Sequence, residues 1–367
     1  MSTRLHQLFD QFGQSPWLDN LRRDWLDAGT IATWVERGVR GITSNPSIFA
    51  KAIGGSDDYD EQLAASLRAG ATVTDAYWDL VCTDVLRALD VLRPLHDTSG
   101  GEDGFVSVEV DPALADDTAG TVAAARALAA RLDRPNLFVK VPATRAGIPA
   151  IRTLISEGIS VNVTLIFAIE RYREVMEAYI AGLEAASDRF VPHVRSVASF
   201  FVSRVDGEVD KALDAIGSPE ALGIRGKVAV ANAQVAYDEF VATFAGDRWD
   251  ALVRRGAHVQ RPLWASTSTK NPAYPDTLYV DELIGPASVN TLPDDTLAAF
   301  LDHGTPARTI DRDPAAARAV LAACRSLGVD LDGITDRLEV DGVASFRTSF
   351  DDLITALGAK AQRLGVS

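Results

Sequence analysis

Residues 136–144 read NLFVKVPAT. Leu137, Phe138, Val139 and Val141 are apolar and suit a buried β-strand. Lys140 interrupts them. Lysine is among the residues least often found fully buried. An unpaired ammonium in an apolar interior costs so much that it tends to release its proton. Composition sharpens the anomaly, because the chain has six lysines against 30 arginines. Arginine stays charged in proteins, whereas a buried lysine can become neutral. A chain that uses arginine for plain positive charge has kept a lysine inside a strand.

Outward from this strand, short apolar runs recur between helix-like stretches. They are PWLDN (16–20), GITSNP (41–46), FVSVEVDP (105–112), LFVKVPA (137–143), ISVNVTLIF (159–167), SVASFFVSRV (196–205), RPLWASTS (261–268) and ASVNTLP (287–293). Segments such as TVAAARALAARL (121–132) and ERYREVMEAYIAGLEAA (170–186) lie between them with helical periodicity. Strand–helix alternation predicts a parallel sheet, and eight strands are the number that closes a barrel. A doubly wound open sheet is the competing arrangement. No linker or composition shift divides the chain, which predicts one domain over 1–367. Two regions exceed the minimal unit: a mainly helical insertion near 51–104 and a helical tail over 294–367.

Strand parity favours the barrel. Side chains alternate faces along a strand. Val106, Val108 and Val110 oppose Phe105, Ser107 and Glu109; Leu137, Val139 and Val141 oppose Phe138 and Lys140. In ISVNVTLIF, Ile159, Val161, Val163, Leu165 and Phe167 oppose Ser160, Asn162, Thr164 and Ile166. An open sheet covered by helices on both faces is apolar on both parities. Here one parity turns polar, as expected for a (β/α)8 TIM barrel with a polar lumen. The expected lumen set is Asp19, Asn45, Glu109, Lys140, Asn162, Thr164, Ser199, Ser268 and Asn290, mostly toward the strand ends where barrel active sites lie.

A buried lysine beside carboxylates has two readings. One is a structural ion-pair cluster, which stabilises weakly and is costly to desolvate. The other is a Schiff-base nucleophile: a neutral amine attacks a ketone, and the imine drains electrons from a neighbouring C–C bond. Glu109 and Asp19 would then move protons. The five histidines show no metal-ligand spacing, and no Walker A loop, GxSxG elbow or strand–GxGxxG–helix unit is present. No metal is expected. A net charge of −15 argues against nucleic acid and anionic membranes as partners. The N-terminal stretch lacks a signal-peptide run, and Cys82 and Cys324 form no close motif, so a reducing cytoplasm is expected. The acidic run SDDYDE (56–61) reads as solvated surface.

Taken in order, GITSNPSIF (41–49), VEVDP (108–112), FVKVPAT (138–144), VNVTLIF (161–167) and SFFVSRVD (199–206) resemble the transaldolases. The resemblance runs from WLDN to ASVNTLP. It implies a (β/α)8 barrel that uses a lysine Schiff base and no cofactor. It implies transfer of a dihydroxyacetone unit from sedoheptulose 7-phosphate to glyceraldehyde 3-phosphate, in the non-oxidative pentose phosphate pathway. Lys140 would form the imine, and Asp19 would deprotonate the hydroxyl at the cleaved bond. Glu109 would act through a water held by Thr164. Asn45, Asn162 and Ser199 would hold the dihydroxyacetone hydroxyls, and Arg204, Ser268 and Lys270 would bind phosphate. Lys270 stands where many members carry arginine; it keeps the charge and loses the bidentate fork. The chain is also longer than common bacterial members, as in an actinobacterial subgroup. A monomer or homodimer is expected. Two alternatives remain: an aldolase that cleaves fructose 6-phosphate to free dihydroxyacetone, and a non-catalytic sugar-phosphate-binding barrel.

Overall fold

The computed structural model describes residues 2–366. Eight parallel strands close a barrel in chain order. They are β1 (Gln14–Leu18), β2 (Gly41–Ile42), β3 (Phe105–Glu109), β4 (Leu137–Pro142), β5 (Val161–Ile166), β6 (Ser196–Phe201), β7 (Gln260–Ala265) and β8 (Ser288–Leu292). β8 pairs back onto β1 from Gln14↔Ser288 to Leu18↔Leu292, which seals the ring. Register then aligns Glu109 with Lys140 and Lys140 with Asn162 in one row across three strands. Among the described residues, no helix is long and apolar enough to cross a membrane. Cys82 and Cys324 are free and buried.

The expected parity holds in most strands. Val106, Val108, Val139, Val141, Val161 and Val163 are buried, on the face opposite Ser107, Glu109, Lys140 and Asn162. The lumen floor is aromatic: Phe105 stacks on Phe138 at 4.2 Å between centroids, and Trp17 lies 6.1 Å from the same ring. Beneath the stack, Asp103 is fully buried and accepts from Ser15 Oγ at 3.0 Å, Arg40 Nε at 2.6 Å and Arg261 Nη2 at 3.2 Å. Two guanidiniums on one carboxylate close that end of the barrel. The lumen is therefore closed at the bottom by an ion-paired cluster, packed with aromatic rings above it, and open only toward the C-terminal ends of the strands.

Two features depart from strict alternation. Leu165 has φ 61°, and the β5–β6 register shifts between Val163 and Ile166. This bulge ends the expected pairing of Leu165 with the outward face, because an inserted residue re-aims the side chains beside it. Asn290 is not a lumen residue. Its Nδ2 donates to the Tyr279 carbonyl at 3.3 Å, while its neighbour Thr291 lines the cavity at the strand ends. The cause is frame: β8 faces the lumen with Val289 and Thr291, a register that an isolated seven-residue run does not specify.

The regions outside the minimal barrel are ordered helices. Pro46–Gly54, Asp60–Arg68 and Val73–Thr98 lie between β2 and β3. The chain ends in a 33-residue helix, Leu331–Arg363, about 50 Å long at 1.5 Å per residue. Asp330 caps it by accepting from Gly333 N. Phe350 packs edge-on against Tyr77 at 5.1 Å, and Ser349 Oγ meets Ser47 Oγ at 2.7 Å. Near its end, Lys360 is 7% exposed, donates to the Ser56 carbonyl at 2.5 Å and pairs with Asp60. The acidic run 56–61 is thus not merely solvated: it anchors the last helix.

Gly41 shows how tightly the lumen is filled. A Cβ there would lie 2.4 Å from Trp17 Cε2, and Trp17 is fully buried. Overpacking of this kind costs about 1–3 kcal/mol. Gly41→Ala should lower the urea midpoint accordingly with an unchanged m-value, whereas an unaltered midpoint would mean that the Trp17 ring has room to move.

Candidate active site

A cavity of about 620 Å³ opens at the C-terminal ends of the strands. Asp19, Asn45, Lys140, Thr164, Ser199, Arg204, Ser268 and Lys270 all line it. Eight residues singled out from six separate segments of sequence therefore meet in one place. Glu109 and Asn162 stand just behind its wall.

Lys140 is 4% exposed. Its Nζ donates to the Ser44 carbonyl at 3.2 Å and lies 3.3 Å from Glu109 Oε2. The second contact is an ion pair whose angle falls short of a hydrogen bond, so Glu109 Oε2 has no hydrogen-bond partner among the described residues. Thr164 Oγ1, on the strand beyond Lys140, is likewise buried and unpartnered. Buried polar atoms are normally satisfied. Two free ones flanking a buried amine are what a site keeps for a reacting molecule or its water.

Asp19 follows β1. Its backbone N–H donates to the Leu292 carbonyl at 2.9 Å, which extends the β1–β8 ladder by one residue. Thr43 Oγ1 donates to Asp19 Oδ1 at 2.7 Å and meets Thr291 Oγ1 at 2.6 Å. Burial pushes the Asp19 carboxyl above its ordinary value; the Thr43 bond and the Lys140 charge pull the other way, and the Asp294 carboxylate adds to the rise. Burial also raises Glu109, opposed by Lys140 and reinforced by Asp19. Both carboxyls thus sit above the usual range for one main reason, loss of water.

The sequence-expected hydroxyl binders take distinct places. Asn45 caps the helix Pro46–Gly54, its Oδ1 accepting from Ile48 N at 3.0 Å, and Pro46 at the first helical position suits that start. The Asn45 carbonyl oxygen is spent on the cap, which leaves its amide for the cavity. Ser199 Oγ donates to Asn162 Oδ1 at 2.7 Å, and Asn162 Nδ2 donates to Ser107 Oγ at 3.0 Å. Asn162 is fully buried within this chain and does not line the cavity.

Three cations, Arg204, Lys270 and Lys51, stand at the cavity mouth. Most arginines hold carboxylates, as in Arg248 with Glu177 and Glu184. Arg204, in the first turn of the helix Ser203–Ile216, has no carboxylate partner among the described residues; it lies 5.4 Å from the Phe201 ring centroid, and burial lowers its pKa. Lys270 Nζ donates to Ser268 Oγ at 2.5 Å. Ser268 and Lys270 belong to the loop after β7, beyond the expected strand. Lys51 also lines the cavity and has no ion pair among the described residues. Unspent positive charge gathers at this mouth in a chain of net charge −15.

Sequence reasoning missed Thr43, Thr291, Lys51 and Phe346. Thr43 was within reach, because it shares the parity of Asn45 two residues on. Phe346 was not, since nothing in a lone helix pattern says that its apolar stripe meets a cavity.

The chain matches the family model described as Transaldolase/Fructose-6-phosphate aldolase over residues 16–357. It is 51% identical to Transaldolase 1 of Streptomyces coelicolor, across 99% of this chain and 96% of that protein. It is 51% identical to a transaldolase of Frankia alni over 100% and 99% of the two chains. With a transaldolase of Thermobifida fusca it shares 50% identity over 96% and 97%.

The electrostatics of Asp19 can be tested directly. In a carboxyl-carbon NMR titration, Asp19 should titrate above 3.8, its ordinary value. Thr43→Val removes a hydrogen bond that favours the ionised form, so the midpoint should move up further. A midpoint that stays or falls in the variant would mean that Thr43 does not support the carboxylate.

Proposed function

This chain belongs to the Transaldolase/Fructose-6-phosphate aldolase family, and we propose that its cavity carries a dihydroxyacetone unit on Lys140 from one sugar phosphate to another. The enzyme is a transaldolase. Its proposed donor is sedoheptulose 7-phosphate, its acceptor glyceraldehyde 3-phosphate, and its setting the non-oxidative pentose phosphate pathway. The observation that carries the mechanism is the buried Lys140 amine, 3.3 Å from Glu109 and in one cavity with Asp19.

The Lys140 amine attacks the donor ketone and forms a carbinolamine. Glu109 acts through a water shared with Thr164 to protonate the departing hydroxyl, which leaves as water and yields the imine. The free atoms Glu109 Oε2 and Thr164 Oγ1 support this assignment. Asp19 then takes the proton of the hydroxyl on the far carbon of the bond to be cleaved. That C–C bond breaks, the aldose phosphate departs and an enamine stays on Lys140. The raised Asp19 pKa suits a base that must later return its proton. The enamine carbon attacks the incoming aldehyde, Asp19 protonates the new alkoxide, and water releases the product ketose. Asn45 and Ser199 line the space for the dihydroxyacetone hydroxyls, with Asn162 holding Ser199 from behind. Arg204, Ser268 and Lys270 take the phosphate, helped by the positive end of the helix Ser203–Ile216. Free buried cysteines and a sugar-phosphate substrate both fit the cytoplasm.

Borohydride trapping with fructose 6-phosphate separates these roles. Wild type should become labelled, while Lys140→Ala and Lys140→Arg should neither label nor turn over. Asp19→Asn should label but fail to cleave, so its adduct accumulates. Glu109→Gln should label slowly. Each carboxyl loss should lower turnover about 10²–10⁴-fold. Activity of Lys140→Arg within about tenfold of wild type would sink the Schiff-base mechanism.

The phosphate assignment has its own contrast. Arg204→Ala removes a charge-assisted bond worth about 1.5–3 kcal/mol. kcat/KM for phosphorylated acceptors should fall about tenfold to 150-fold, with unphosphorylated glyceraldehyde almost unaffected. A parallel fall on both acceptors would assign Arg204 to the fold or the chemistry.

A further inference from the structure

Phe346 belongs to the last helix and not to the barrel, yet its ring lines the cavity. It is 4% exposed, and its centroid lies 5.8 Å from Lys140 Nζ. Three residues four apart face the barrel here: Gly342, Phe346 and Phe350. A Cβ on Gly342 would lie 2.9 Å from Leu165 Cδ2, so the helix backbone rests on the bulged end of β5. Phe350 is set against Tyr77, and Ser349 is tied to Ser47. The ring is therefore held from both sides along its own helix.

Its neighbours make its chemistry unusual. Around Lys140 Nζ stand the Ser44 carbonyl, Glu109, Asp19 and Thr164, all of which can hold water. Phe346 cannot. We infer that Phe346 is a specificity-determining residue that decides whether the Lys140 enamine meets an aldehyde or water. This inference rests on the Schiff-base reading above.

The two fates of the enamine balance as follows. In transfer, the enamine carbon bonds to the aldehyde carbon, and the aldehyde oxygen takes a proton. In release, the enamine carbon takes a proton instead. Water then adds to the iminium carbon, the C–N bond breaks, and Lys140 departs as the amine. The water lost in forming the imine is regained. The net reaction is ketose phosphate to aldose phosphate plus free dihydroxyacetone. An apolar ring over the nitrogen lowers the local supply of water, and with it both the proton and the hydroxyl that release requires.

The test uses the full chain with fructose 6-phosphate as donor. Free dihydroxyacetone is measured without acceptor, and transfer is measured to erythrose 4-phosphate. The readout is the ratio of the two rates on one sample, which does not depend on how much of the variant is folded. Phe346→Ala should raise that ratio about tenfold or more. Phe346→Gln fills the space with a polar group and should raise it as well. Phe346→Leu keeps an apolar cover and should stay near wild type. An unchanged ratio in both the Ala and Gln variants, with the borohydride adduct still forming, would overturn the inference and leave the Schiff-base reading standing. Absence of the adduct in wild type would remove both.

Discussion

The pairing of Glu109 with Lys140 is the contact on which the site turns. Neither group tolerates this depth alone, because a buried unpaired charge is strongly unfavourable. The barrel register sets them side by side on β3 and β4. Glu109 lowers the cost of the ammonium, and the ammonium restrains the rise that burial imposes on Glu109. The pair lies at 3.3 Å and is not aligned as a hydrogen bond. A tight, fully satisfied bridge would leave no lone pair free. A looser one keeps the charges compatible with burial and leaves lone pairs for a third participant. The packed floor of Trp17, Phe138 and Phe105 fixes how deep the lysine can reach.

Charge is sorted between surface and site. Outside the cavity, arginines are mostly consumed by aspartates and glutamates, and the excess of acid keeps the whole molecule negative. At the mouth, Arg204 and Lys51 are left unpaired among the described residues. The same logic explains the choice of lysine. Of six lysines, Lys140 and Lys360 are buried, and each does something arginine does less well. Lys140 carries a primary amine, which can form an imine where a guanidinium cannot. Lys360 places a compact ammonium against the Ser56 carbonyl and Asp60.

Much of this was legible in the sequence, and the limits have physical causes. Eight apolar runs and a polar parity were enough for the barrel, because period two survives in any strand with one wet face. Lys140 and Glu109 were legible as residues too costly to bury without a reason. Asn290 was misread because parity within a run is relative, and only pairing to a neighbour sets which face is inward. The shift at Leu165 was invisible since a bulge leaves no period of its own. Asn45 showed its polarity and hid its second duty as a helix cap. Thr43 acts through Asp19, and such partners are found only once two distant strands are adjacent.

The long tail was the least legible part, and its placement gives the cavity a wall of different character. With Phe201 and Ala265 as the apolar exceptions, most of what the barrel contributes at the strand ends is polar. A site made only of such groups would be wet, and water competes for both an imine and an enamine. Further apolar cover comes from outside the strands. The last helix supplies it through a stripe whose spacing is ordinary for a helix and whose docking is not: a glycine lets the backbone close on Leu165, and aromatic and ionic contacts hold it farther along. Loosening those distant anchors would therefore change the solvent at Lys140 without touching any barrel residue that lines the cavity. The barrel supplies reactivity, and the tail limits what that reactivity meets.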